Sequence, residues 1–182
     1  MTLVEFLEWN PEGSERWQLR EGVPELMAPA SDAHRSIQNE QGLLLTAYLR
    51  TSGRPCRVVT APGVIPRLRS ADSFLIPDLG ITCTPVSGTV EMPNPVALIE
   101  ILSPSNERQT RANVWAYGSI PTLTEIVLLR SDRIAGEIWR RNTDGSWPAA
   151  PLPIAADGDL TLESIGYSAP LRAAYRTSGL AA

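Results

Sequence analysis

The chain contains no lysine. All 16 of its basic residues are arginine, set against 20 acidic ones in 182 residues, for a net charge of −4. That balance gives no global attraction to nucleic acid, so any such contact needs a local arginine cluster. The lack of lysine also removes the side chain best suited to Schiff-base chemistry and proton shuttling. His34 is the single histidine, which excludes multi-histidine zinc sites, and no HExxH sequence occurs. Long apolar runs are missing too: none approaches the ~20 residues that a membrane span requires. The opening stretch MTLVEFLEWNPEGSERWQ is acidic where a secretory leader would be basic, so a cytoplasmic location is expected. Cys56 and Cys83 have no metal-ligand spacing and are expected to be buried free thiols.

What is present reads as a soluble globular protein, 43% hydrophobic and 20% charged. Residues 1–182 suit one domain with an ordered core over about 3–176, and no internal repeat or linker divides them. Thr2 and Glu5 fit a capping box ahead of a short helix, LVEFLEW, with Val4, Leu7 and Phe6 as its inward candidates. RWQLREGVPELM predicts a hairpin turning at Glu21-Gly22. The longest helical pattern begins at a Ser31 or Asp32 cap, buries a face containing Ile37, Leu44, Leu45 and Tyr48, and stops at Gly53.

Strand-like stretches follow: CRVVTA, GVIPRL, IPDLGITC and the fully apolar VALIEIL. A helix from Ser105 or Asn106 to about Tyr117 precedes the strands TEIVLL and IAGEIWRR, which the turn RSDR separates. NTDGSWPAAPLPIAADGD is a surface excursion, and LTLESIGYSAPLRAAYRT supplies a last strand and a short helix. The pattern is α/β, with a mixed central sheet whose inner strands are covered on both faces.

Glu100 breaks that pattern, because a lone carboxylate among Val96, Leu98, Ile99, Ile101 and Leu102 costs several kcal/mol unless something meets it. Asp78 follows Pro77, a residue that suits a strand entrance. If the two segments are neighbouring strands, their carboxylates converge at one end of the sheet and repel unless a cation lies between them. Oxygen ligands with open water positions favour Mg²⁺ or Mn²⁺, which can polarise a phosphoryl oxygen and generate hydroxide. The plainer alternative is a turn-capping Asp78 and a Glu100 paired with a buried arginine. A glycosidase pair would need carboxyls about 5–9.5 Å apart around a sugar groove, and few aromatics flank either acid.

The stretches IPD at 76–78, NPVALIEILSPSN at 94–106 and the later Tyr-Gly-Ser-Ile-Pro and TEIVLL closely resemble the Uma-type putative restriction endonuclease family, of the PD-(D/E)XK nuclease superfamily. The resemblance runs from VEFLEW through WQLREGVPELMAPASDAH to near Tyr175, with the ExLSPS segment its most specific part. It implies a restriction-endonuclease-like fold, with Pro77-Asp78 as the PD motif and Asp78 and Glu100 as metal ligands. It also implies a Mg²⁺-dependent endonuclease acting on DNA, and a homodimer if both strands are cut.

The lysine of that pattern is absent. The usual E-x-K position falls on Leu102, and the helix position four residues before Tyr117 is Asn113. The acidic residue usually found one turn earlier is Gln109, on the same helical face as Asn113. An amide can orient water or bond a phosphate oxygen, but it carries no charge. Arg108 is near enough to the helix start to reach back, whereas Arg111 faces elsewhere. A nuclease fold that binds a nucleic acid or protein partner without cutting is the alternative reading.

Weaker candidates complete the set. His34 either approaches the acidic pair or phosphate, or simply packs at its helix start. Arg67 and Arg69, with Arg140 and Arg141, are possible phosphate contacts or ordinary exposed arginines. Glu40 is expected to be solvated and Glu21 to be a turn residue. Trp115 and Trp139 are expected in the core or at a dimer contact.

Overall fold

A computed structural model describes residues 1–9 and 15–180. Helix α1 (Leu3–Glu8) starts with the expected reciprocal cap: the Glu5 N–H donates to Thr2 Oγ1, and the Thr2 N–H donates to Glu5 Oε2. Its inward face differs from the expectation. Only Phe6 is buried, while Val4 and Leu7 are exposed. The helix is too short to present a wide stripe, so one aromatic anchors it on Phe74 and Leu19.

Strands β1 (Trp17–Arg20) and β2 (Val23–Leu26) form the hairpin. Glu21 and Gly22 both have positive φ, at 49° and 80°, as a two-residue turn matching strand twist requires. Leu19 points away from the turn's polar face and exchanges both backbone hydrogen bonds with Phe74, which docks the hairpin on the body of the protein. Helix α2 (Asp32–Ser52) is capped by Ser31, whose Oγ accepts from the His34 N–H, and Gly53 ends it in the left-handed region. Ile37, Leu45 and Leu49 form its buried line, with Leu44 and Tyr48 packed beside it.

The central sheet contains β3 (Arg57–Thr60), β4 (Leu79–Thr82), β5 (Pro95–Leu102), β6 (Glu125–Arg130), β7 (Gly136–Arg140) and β8 (Leu152–Ile154), in that spatial order. The β5–β6 pair is parallel and every other pair antiparallel, because helix α3 (Glu107–Tyr117) carries the chain back between β5 and β6. Alternation along β5 divides two cores. Ala97, Ile99 and Ile101 join α2 on one face, whereas Leu98 and Leu102 join Val114 and Tyr117 of α3 on the other. Glu100 therefore belongs to the α3 face.

Three expectations need correction here. GVIPRL makes only isolated bridges, at Gly63 and Val64, and no strand. Part of the proline-rich excursion becomes the edge strand β8. The final segment is a hairpin, β9 (Asp159–Leu162) with β10 (Tyr167–Pro170), followed by a short 3-10 turn over Leu171–Tyr175.

Cys56 and Cys83 form a disulfide, contrary to the expectation of free thiols. Strand register is the reason. Arg57 pairs with Thr82, so the next residues outward, Cys56 and Cys83, face each other across the ends of β3 and β4. Among the described residues no helix is long and apolar enough to cross a membrane.

Candidate active site

Leu79 of β4 pairs with Ile99 of β5, and extending that antiparallel register by one residue sets Asp78 opposite Glu100. Directly opposed residues share a sheet face, so the two acids meet as the sequence predicts. Asp78 Oδ2 accepts from the Ile101 backbone N–H at 2.7 Å, locking the carboxylate onto β5. Its Oδ1 lies 2.8 Å from His34 Nε2, whose N–H donates to it, and the Gln38 side chain donates to the Asp78 backbone carbonyl. Helix α2 thus holds Asp78 from one side through buried His34.

Glu100 is 7% exposed and accepts from the Tyr117 hydroxyl at 2.6 Å. Burial, and then the neighbouring Asp78 charge, push its carboxyl up to about 8. Hydrogen bonds from Tyr117, Asn113 and the Asp78 backbone pull in the opposite direction without cancelling the rise. Burial and the Glu100 charge also hold Tyr117 well above the usual phenol range, so it remains a donor. A divalent cation would reverse the balance by stabilising both carboxylates.

Gln109, Asn113 and Tyr117 are spaced four apart and line one face of α3. Gln109 is exposed and donates to Glu25 Oε2 of β2 at 2.6 Å. Asn113 is 6% exposed, and its Oδ1 has no hydrogen-bond partner among the described residues. Leu102 lies on the Glu100 face but is buried in the α3-side core, so the E-x-K position is a packing position.

The remaining candidates divide. Arg108 and Arg67 are exposed and make no ion pair among the described residues. Arg69 reaches Glu21 and Asp72 at 3.5 and 3.6 Å. Arg111 points away from the acids, as expected, and pairs with Glu107 and Glu137. Arg140 and Arg141 are not free phosphate contacts. Arg140 pairs with the fully buried Glu125, and Arg141 donates to the carbonyls of Gly118, Ile120, Leu123 and Gly145 while lying over Trp147. Glu40 is not solvated but buried, bonded by Arg176. Trp115 is 74% exposed, so it is no core residue, whereas Trp139 packs against the α3-side core.

Sequence reasoning missed the hairpin's share of this region. Gln18 and Arg20 alternate onto one face of β1, and Glu25 pairs across from Gln18. Glu25 Oε2 accepts from Gln18 Nε2, Arg20 Nε and Gln109 Nε2. The signal available was the polar alternation Gln18-x-Arg20, facing Glu25 across the turn.

The donor chemistry fits a hard divalent ion. Asp78 and Glu100 supply carboxylate oxygens, Asn113 Oδ1 is a buried unused acceptor beside Glu100, and few ligands leave room for water. Among the described residues no group of three or more His, Cys, Asp or Glu side chains is placed to hold a metal ion, so the ligands on offer are this pair and Asn113.

The chain is 28% identical over 175 residues to an uncharacterized protein, slr1290, of Synechocystis sp., an alignment covering 94% of this chain and 90% of that one. A crystal structure described as a putative nuclease from Anabaena variabilis superposes with a TM-score of 0.77 at 18% identity, covering 97% of this chain and 98% of that one. This likeness shows that the two chains share one fold. Residues 3–166 match the family Uma2, described as "Putative restriction endonuclease", and the chain belongs to that family.

Proposed function

We propose that the protein is a Mg²⁺- or Mn²⁺-dependent nuclease that hydrolyses phosphodiester bonds of DNA. The observation that carries this reading is the opposition of Asp78 and Glu100 across β4–β5, with Glu100 buried and its carboxyl pushed up by burial and by the Asp78 charge. The family description and the likeness to a putative nuclease support it. Asp78 and Glu100 would hold the ion, and Asn113 Oδ1 would add a neutral oxygen. A bound ion of this kind supplies polarisation of a phosphoryl oxygen and a water acidic enough to ionise near neutral pH.

The protein's own groups orient these ligands. His34 and the Ile101 N–H fix Asp78, while Tyr117 fixes the Glu100 carboxylate. Gln109 and Asn113 border the site, and Arg108, Arg67 and Arg69 offer positive charge to flanking phosphates. A homodimer would present two such sites to the two strands of a duplex.

The test is incubation of the purified protein with supercoiled and linear DNA and Mg²⁺ or Mn²⁺, beside Asp78→Ala and Glu100→Gln. Nicking that disappears in both variants supports the proposal; equal nicking by all three proteins refutes it. A second reading has its own observation: the position of the usual helix lysine is Asn113, an uncharged residue. On that reading the fold binds nucleic acid or a protein partner without cutting, and DNA retention without metal-dependent nicking would favour it.

A further inference from the structure

Arg20 has an unfinished set of hydrogen bonds. Its Nε is tied to Glu25 at 3.0 Å, but Nη2 is buried and has no partner among the described residues. A buried guanidinium N–H left unpaired costs about 1–3 kcal/mol or more, so a site that keeps one invites an acceptor. The placement is specific. Arg20 shares a face of β1 with Gln18, and Glu25, its anchor, also receives Gln109 from the α3 stripe that leads to Asn113 and Tyr117. Its positive charge reaches the Tyr117 hydroxyl, the group that donates to Glu100.

Other arginines near this region are committed or outlying. Arg111 is held by Glu107 and Glu137, Arg130 by Glu107 and Asp132, and Arg108 is exposed. Across the same region Asn113 Oδ1 is a second orphan, an acceptor where Arg20 is a donor. The two remain unmatched with each other, which suits a ligand carrying both an anionic oxygen and a bound cation.

We propose that Arg20, delivered by the N-terminal hairpin and aimed by Glu25, binds a non-bridging oxygen of the phosphodiester at the Asp78–Glu100 site. This rests on the nuclease reading for its substrate. It gives a lysine-free chain a fixed positive charge at the phosphate. A guanidinium suits that task, since its donor fork matches phosphate geometry and it has no part in moving protons. Glu25 is then a positioning residue: it occupies one edge of the fork and leaves Nη2 for the ligand.

The experiment uses the full chain and two readouts. Affinity for a short labelled DNA duplex is measured by anisotropy in Ca²⁺ across a salt series, and plasmid nicking is measured in Mn²⁺. Arg20→Ala is expected to lower nicking about 10²–10³-fold and to make the salt slope of binding shallower by about one phosphate contact. Arg20→Lys should recover part of both. Arg20→Met, which keeps the aliphatic stem, serves if the alanine variant fails to fold in a thermal melt.

Wild-type affinity, salt slope and nicking rate in a folded Arg20 variant overturn the proposal. Nicking that is absent or insensitive to Asp78→Ala removes the nuclease reading alone; Arg20-dependent duplex binding would then still uphold the phosphate role. Failure of the wild-type protein to bind the duplex overturns both.

Discussion

Glu100 faces two opposed requirements: a dry surrounding that favours the protonated acid, and a neighbour, Asp78, with which it can share charge only through a cation. The consequence for the metal-free protein follows from linkage. An unfolded chain ionises this carboxyl near 4.5, whereas the folded one retains its proton up to about 8. The contribution to stability is fully present below the first value and is lost as pH rises through the second. Metal-free wild type is therefore expected to lose a few kcal/mol between about pH 5 and about pH 8.5 relative to Glu100→Gln. Circular-dichroism melts of both proteins across that range check it, and a constant gap between them would show that the carboxyl is not the cause. Asp78 has a comparable double duty, since it also holds the Ile101 N–H. Asp78→Asn, which keeps an oxygen for that bond, is thus a better companion to Asp78→Ala than any larger change.

At the level of elements, α3 is the part that makes the site, because its stripe of Gln109, Asn113 and Tyr117 covers the Glu100 face of β5. Tyr117→Phe removes the hydroxyl without changing the packing volume of a fully buried ring. Metal affinity, read by titration calorimetry with Mn²⁺, is expected to fall about 10-fold or more, as losses of ligand-orienting partners do. An unchanged affinity would mean that Glu100 is oriented by other groups. Much of this element was legible in advance. The Asn106-to-Tyr117 span, the four-residue spacing and the apolar β5 all leave periodic signatures. So did Asp78 beside Glu100, once β4 and β5 were taken as neighbours. The pairing of β3 with β4 was not legible, and it decides the cysteine bond. Glu40, Arg140 and Arg141 were misread for a related reason: their partners, Arg176, Glu125 and the carbonyls around Gly118, are brought close only by tertiary folding. Val4 and Leu7 show the limit of pattern alone, since a six-residue helix can be anchored by one ring.

Across the molecule, the acids and α3 occupy one side of β5, with the first hairpin bonded to α3 through Glu25 and Gln109, while α2 and the C-terminal hairpin pack the other. The bond between Cys56 and Cys83 closes a separation of 27 residues, a loop that contains Asp78. By chain entropy such a closure stabilises by about 3–4 kcal/mol, so dithiothreitol, or paired serine substitutions, should lower the denaturation midpoint accordingly. An unaltered urea curve would contradict this. Cys83 lies five residues along from Asp78, about 17 Å of extended chain, and β3 links the two as well, running from Cys56 to the Ala61 N–H that donates to the Asp78 carbonyl. A cell compartment's redox state would on that account bear on how long the protein survives and on how firmly the strand beside Asp78 is held.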